Sequence, residues 1–179
     1  MFRILLYTGF LGLLLAGPVT LRSQDTLQAY FKEYAGLSSH LMEEYGIPAS
    51  IILGVAYVES GGGNSRNCKL LNNHFGMKAG KRYYIPGTKH LTSYKMYESD
   101  SLSFRDFCDY LSRRKYYPLL KGNMDYREWV KHIGNSGYAT AHTTWKKKMN
   151  QTIQKYKLTQ FDKVKSPWLP DTPIRPPEK

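Results

Sequence analysis

Apolar positions along this chain recur mainly at helical spacing, interrupted by one short region that reads as a hairpin. Ile4 to Ala16 is almost continuously apolar. From Thr26 to Tyr45 the residues Leu27, Tyr30, Phe31, Tyr34, Leu37, Leu41 and Met42 fall near the 3.6-residue period, and Gly46 stops the run. Pro48 suits a helix start, and Ile51, Ile52, Val55 and Val58 then mark a buried helical face that ends at Gly61 to Gly63. Residues 61–82 lack periodicity and are rich in Gly and Asn, which predicts an ordered loop. Tyr83 to Ile85 and Leu91 to Tyr97 flank Pro86-Gly87 as a small hairpin. Ser99 or Asp100 caps the next helix, with Leu102, Phe104, Phe107, Cys108 and Leu111 as its buried stripe. Asp125 opens a helix through Trp129, Val130 and Ile133, and a last helix runs from about Thr143 to Tyr156. The fold class is therefore α+β and predominantly helical.

The apolar start changes the expected location. Met1-Phe2-Arg3 is a short basic opening, the run after it is too short to span a bilayer comfortably, and Pro18, Arg22, Ser23 and Gln24 close it. Residues 1–24 thus read as a signal peptide for export to the periplasm, envelope or medium, with an uncleaved N-terminal anchor as the alternative. No cysteine follows closely, which argues against a lipoprotein. Residues 25–160 then form one domain, and 161–179 a Pro-rich tail carrying Pro167, Pro170, Pro173, Pro176 and Pro177. No membrane insertion is expected after cleavage, and a monomer is the expected state.

A formal net charge of +12 implies an anionic partner. No nucleic-acid-binding motif accompanies it, so a wall polymer is favoured over nucleic acid. Cys68 and Cys108 are either a disulfide or two buried thiols. No His, Cys, Asp or Glu set has metal-ligand spacing, so neither metal nor cofactor is expected. The Lys146-Lys147-Lys148 run is most simply a solvated helix face.

Glu59 is the chemically informative residue. It is the only charge in the helix after Pro48 and sits in the last turn. The negative end of the helix dipole and the apolar neighbours both disfavour its charged form, so its pKa should be raised. A carboxylic acid that stays protonated near neutral pH is what general acid catalysis needs, while a solvated helix-end Glu is the alternative.

Four segments support the catalytic reading. The Glu59-Ser60-Gly61 turn, Asn72-Asn73-His74-Phe75-Gly76-Met77-Lys78, Tyr94 to Ser99 leading into Ser103 to Phe107, and Gly137-Tyr138-Ala139-Thr140 occur in this order. Together they resemble the glucosaminidase family of cell-wall hydrolases, glycoside hydrolase family 73, over roughly Tyr45 to Leu158. That resemblance implies a lysozyme-like fold with a small β-hairpin lobe beside a cleft, and hydrolysis of peptidoglycan glycan strands at β-1,4 bonds, usually after N-acetylglucosamine. It implies Glu59 as the catalytic acid, Tyr138 as the motif tyrosine beside it, and Asn73 and Phe75 as the floor of the cleft. Tyr116 and Tyr117 are candidate sugar platforms, with core packing as the equal alternative. His74 reads as a surface or loop histidine.

Two departures from the family pattern matter. Ala141 and His142 follow Gly-Tyr-Ala-Thr where the family usually continues with Asp. Many members also carry a second carboxylate in the β-lobe, yet no Asp or Glu lies between Glu59 and Glu98 here, and His90 stands near the usual acidic position. Ordinary glycosidases use two carboxylates. Neighbouring-group attack by the substrate's N-acetyl group, with Tyr138 assisting, is the favoured reading. Water activation by His90 or a distant carboxylate, or lytic transglycosylase-like cleavage by one Glu, are the alternatives. The resulting expectation is an endo-β-N-acetylglucosaminidase, against a muramidase, a transglycosylase-like enzyme or an inactive wall-binding module.

Overall fold

A computed structural model describes residues 19–165 of the chain, with side chains from residue 29 onward. The apolar run from Ile4 and the proline-rich stretch from Ser166 lie outside the described residues. Helix α1 (Val19–Tyr45) begins earlier than its periodic stripe predicts, running back through Val19 to Gln24 of the stretch read as leader. Gly46 ends it in the left-handed region (φ 64°), and its carbonyl accepts the Gly122 N–H at 2.8 Å. A side chain at Gly46 would meet that nitrogen at 2.9 Å, so both conformation and proximity demand glycine.

Helix α2 (Ala49–Ser60) is the centre of the molecule. Every residue from Ala49 to Ala56 is buried, as expected of a helix that is apolar all round. It packs against α1, α4 (Asp100–Ser112), α6 (Tyr126–Asn135), α7 (His142–Lys155) and a final 3-10 helix, Leu158–Lys163. Pro48 offers no side-chain cap, so the start of α2 is capped from elsewhere. Asp162 of the 3-10 helix accepts the Ser50 N–H at 2.7 Å and the Ser50 hydroxyl at 2.8 Å. This is the work of an N-cap done across the fold, and it ties the 3-10 helix to α2.

The remaining elements frame one side of α2. Where the sequence predicts only loop, Ser65 caps a short helix, α3 (Arg66–Leu71), and strand β1 (Lys78–Tyr84) begins before its aromatic residues. One and a half turns show no periodicity, and β1 is exposed along most of its length, so neither carries an alternating signal. β1 pairs antiparallel with β2 (Leu91–Tyr94), in register Tyr83↔Thr92 and Tyr84↔Leu91, with an irregularity between Lys78 and Tyr83. Helix α4 starts at the Ser99 cap and buries Phe104, Phe107, Cys108 and Leu111, but Leu102 is 42% exposed, outside the stripe. Cys68 and Cys108 are buried free thiols, not a disulfide, and burial pushes the Cys68 thiol up to about 12. A short helix α5 (Tyr117–Leu120) links α4 to α6. Among the described residues no helix is long and apolar enough to cross a membrane.

Candidate active site

Glu59 occupies the penultimate position of α2, where Gly61 closes the helix in the left-handed region (φ 62°). The Ser60 hydroxyl accepts the Gly63 N–H at 2.8 Å and so pins the turn that follows. Glu59 is half-buried and lines a cavity of about 330 Å³ with Phe75, Gly76, Met77, Lys78, Lys95, Tyr110, Arg113 and Tyr138. Among the described residues it is the only carboxylate in that lining. Burial raises its pKa, while a hydrogen bond from Trp145 and the nearby Lys148 charge oppose the rise without cancelling it.

The two carboxyl oxygens have different surroundings. Oε1 accepts the Trp145 indole N–H at 2.7 Å. Oε2 faces Gly76, where an added Cβ would stand 4.0 Å from it. Gly76 has φ 65°, so glycine serves the backbone and also leaves Oε2 approachable. Trp145 therefore fixes the rotamer and leaves the other oxygen to carry the mobile proton. Trp145→Phe is expected to move the alkaline limb of the pH–rate profile upward, because a contact favouring the carboxylate is lost, and to lower kcat by roughly tenfold through mispositioning. A pH–kcat/KM series checks this; an unmoved limb would show that the indole does not act on Glu59.

Tyr138 lies against this acid. It is half-buried, donates its hydroxyl to the Phe75 carbonyl at 3.0 Å, and is held by ring contacts with Phe107, Tyr110 and Trp145. Burial and the nearby Glu59 charge push its pKa well up, so it remains a neutral phenol. Phe75 is buried and stacked on Phe107 at 4.2 Å, forming the floor. Asn73 is buried with its amide fully engaged: Nδ2 donates to the Met77 and Lys95 carbonyls, and Oδ1 accepts the Met77 N–H. These bonds hold the lip of the cavity.

Other sequence candidates fall elsewhere. Tyr116 is buried against His132, and Tyr117 donates to the Tyr45 carbonyl at 2.7 Å while packing on Trp129. Neither lines the cavity; Tyr110, on α4, joins Phe75 and Tyr138 there instead. His90 sits at the far end of the hairpin, donating its N–H to Thr88 Oγ1, and is likewise outside the lining. His74 is buried, not at the surface. Its ring nitrogens reach Tyr30 Oη at 2.9 Å and Asp100 Oδ1 at 3.0 Å, and its N–H donates to Ser103 at 3.1 Å. Burial alone would raise the Asp100 pKa, but His74 and Tyr34 hold it below the usual carboxylate range. This network braces the 73–75 segment from behind. Lys148 is exposed and points toward the end of α2, its ammonium 3.5 Å from the Val58 carbonyl.

Trp145, Tyr110 and Arg113 have no local sequence signature for this site, whereas Lys78 closes the Asn72 to Lys78 segment. The one usable hint is that a buried tryptophan N–H needs an acceptor. Among the described residues no cluster of His, Cys, Asp and Glu is arranged to hold a metal.

Comparison with known proteins adds the family context. The model of the glucosaminidase family, described as mannosyl-glycoprotein endo-beta-N-acetylglucosaminidase, matches residues 35–158. The chain is 26% identical over 157 residues to the exo-glucosaminidase LytG of Bacillus subtilis, covering 78% of this chain and 55% of LytG. It therefore spans only about half of that relative. A solved N-acetylmuramoyl-L-alanine amidase from Staphylococcus aureus is 28% identical with a TM-score of 0.66, over 80% of this chain and 45% of the other. The catalytic domain of the autolysin Auto from Listeria monocytogenes shares the fold, with a TM-score of 0.62 at 22% identity over 81% and 97% of the two chains.

Proposed function

This chain belongs to the glucosaminidase family, and on that premise we propose that it is an exported peptidoglycan hydrolase, cutting β-1,4 bonds of the glycan strand as an endo-β-N-acetylglucosaminidase. The observation that carries the reading is the state of Glu59: a single cleft carboxylate with a raised pKa, one oxygen clamped by Trp145 and the other approachable over Gly76. Glu59 donates its proton to the glycosidic oxygen as that bond breaks.

The missing partner carboxylate shapes the rest. The rest of the cavity lining presents Lys78, Lys95 and Arg113 and no second carboxylate, and Asp106 outside it is engaged by Lys95 at 2.8 Å and Tyr97 at 2.6 Å. The substrate's 2-acetamido oxygen therefore attacks the anomeric carbon, forming the C1–O bond of an oxazolinium as the leaving group departs. Tyr138 gives its hydroxyl proton to Phe75, so its oxygen lone pairs are available to accept the acetamido N–H and offset the developing positive charge. Water then attacks C1 as the oxazolinium C1–O bond breaks and the acetamido group re-forms, the Glu59 carboxylate takes the water's proton, and configuration is retained.

Product analysis tests this reading. Mass spectrometry of digested peptidoglycan is expected to show reducing N-acetylglucosamine ends on internal fragments, and NMR before mutarotation a retained anomer. Reducing muramic ends, anhydro ends, release of single terminal sugars, or no product would each overturn the assignment. The leader reading is supported by the basic start and the apolar run Ile4 to Ala16. N-terminal sequencing of exported protein should begin near Gln24 or Asp25; intact Met1 on a cytoplasmic protein would refute it.

A further inference from the structure

The charge distribution around the cavity is lopsided. Between Glu59 and Glu98 the chain has seven Lys and Arg and no Asp or Glu, and this stretch forms α3 and the hairpin lobe. Three cations reach the cavity lining: Lys78 from β1, Lys95 just after β2, and Arg113 at the end of α4. Their states differ. Lys95 is neutralised by Asp106 at 2.8 Å. The Lys78 ammonium rests 3.4 Å over the Tyr94 ring, which holds the group in place and leaves its charge uncompensated. Arg113 is exposed, and among the described residues it has no carboxylate within ion-pair distance. Two uncompensated cations from separate elements thus flank one protonatable acid.

A neutral sugar chain has no use for such charges. We infer that Lys78 and Arg113 are specificity-determining residues of this cleft, the two cations that recognise carboxylates along the strand. The inference rests on the glycan-cleaving reading above and adds the charge of the strand to it. Two alternative sources of carboxylate exist on such a strand: the lactyl group of a sugar that bears no peptide, and the peptide's own carboxylates where its attachment has turned the lactyl group into an amide. Charge attraction focused into a cleft also speeds encounter with an extended polyanion.

The test uses binding by the full chain carrying Glu59→Gln, so that it does not depend on turnover. Three ligands of matched length are compared at low salt: peptide-bearing strands, strands stripped of peptide that keep the lactyl carboxylates, and uncharged N-acetylglucosamine oligomers. The charged strands are expected to bind at least about tenfold more tightly than the neutral oligomer, a margin that shrinks as salt screens it. A margin on stripped strands alone assigns the lactyl carboxylate, a margin on peptide-bearing strands alone assigns the peptide, and a margin on both assigns carboxylate charge from either source. Lys78→Gln and Arg113→Gln should each weaken binding of the charged strand by about three- to fivefold, whereas Lys147→Gln on the exposed face of α7 should not. Equal affinity for all three ligands, or an equal loss with Lys147→Gln, would overturn the inference. Hydrolysis of any of these strands by the unmutated chain is a separate measurement, so failure of the enzymatic reading is distinguishable.

Discussion

Glu59→Gln is expected to lower turnover by about three orders of magnitude, in the middle of the range for loss of a general acid. Gln keeps the acceptor for the Trp145 N–H but presents a non-acidic NH₂ where Oε2 stood. The same substitution should stabilise the fold at neutral pH. Burial raises the Glu59 pKa above its unfolded value, so the folded state holds this proton more tightly than the unfolded chain. Its penalty on folding is absent below the unfolded pKa, grows as pH rises toward the folded pKa, and is fully present above it. Gln removes that penalty. The expected result is a melting temperature a few degrees higher, on the order of 2–5 °C, at pH 7, with the gain vanishing below about pH 4. Activity assays and thermal melts across pH read both effects. Normal turnover in a folded variant would remove Glu59 from the mechanism, and a lower melting temperature at pH 7 would contradict its buried, charge-disfavouring setting.

Tyr138→Phe is expected to lower kcat by about a hundredfold with a much smaller change in binding, as for removal of one preorganised transition-state contact. The ring and its packing against Phe107, Tyr110 and Trp145 survive the change; only the oxygen is lost. The Phe75 carbonyl then loses its donor, so a modest stability loss of about 1 kcal/mol accompanies it. Because Tyr138 stays a neutral phenol, the shape of the pH profile should not change. His90→Ala, outside the cavity lining, should leave turnover nearly intact. Inversion of configuration together with a large His90→Ala defect would show that a protein base activates water and that substrate assistance is wrong.

Much of this site is legible in the amino-acid sequence. The central helix announces itself because a run from Ile51 to Val58 is apolar on every face and ends with one charge at a glycine turn. The Ser99 and Asp125 caps are readable because a side chain bonding a backbone N–H two or three residues on is a local event. The lack of acid between Glu59 and Glu98 needs no coordinates at all. Tertiary structure alone decided the pairings between distant positions. The Trp145–Glu59 hydrogen bond spans 86 residues and the Asp162 cap of α2 spans 112, and nothing in either local sequence encodes the partner. It also decided which aromatic residues face the cavity. Tyr110, Tyr116 and Tyr117 are near neighbours in sequence, but the bond from Tyr117 to Tyr45 and the burial of Tyr116 turn those two away. Periodicity reports that a side chain is apolar; the packing of helices around α2 determines what it meets.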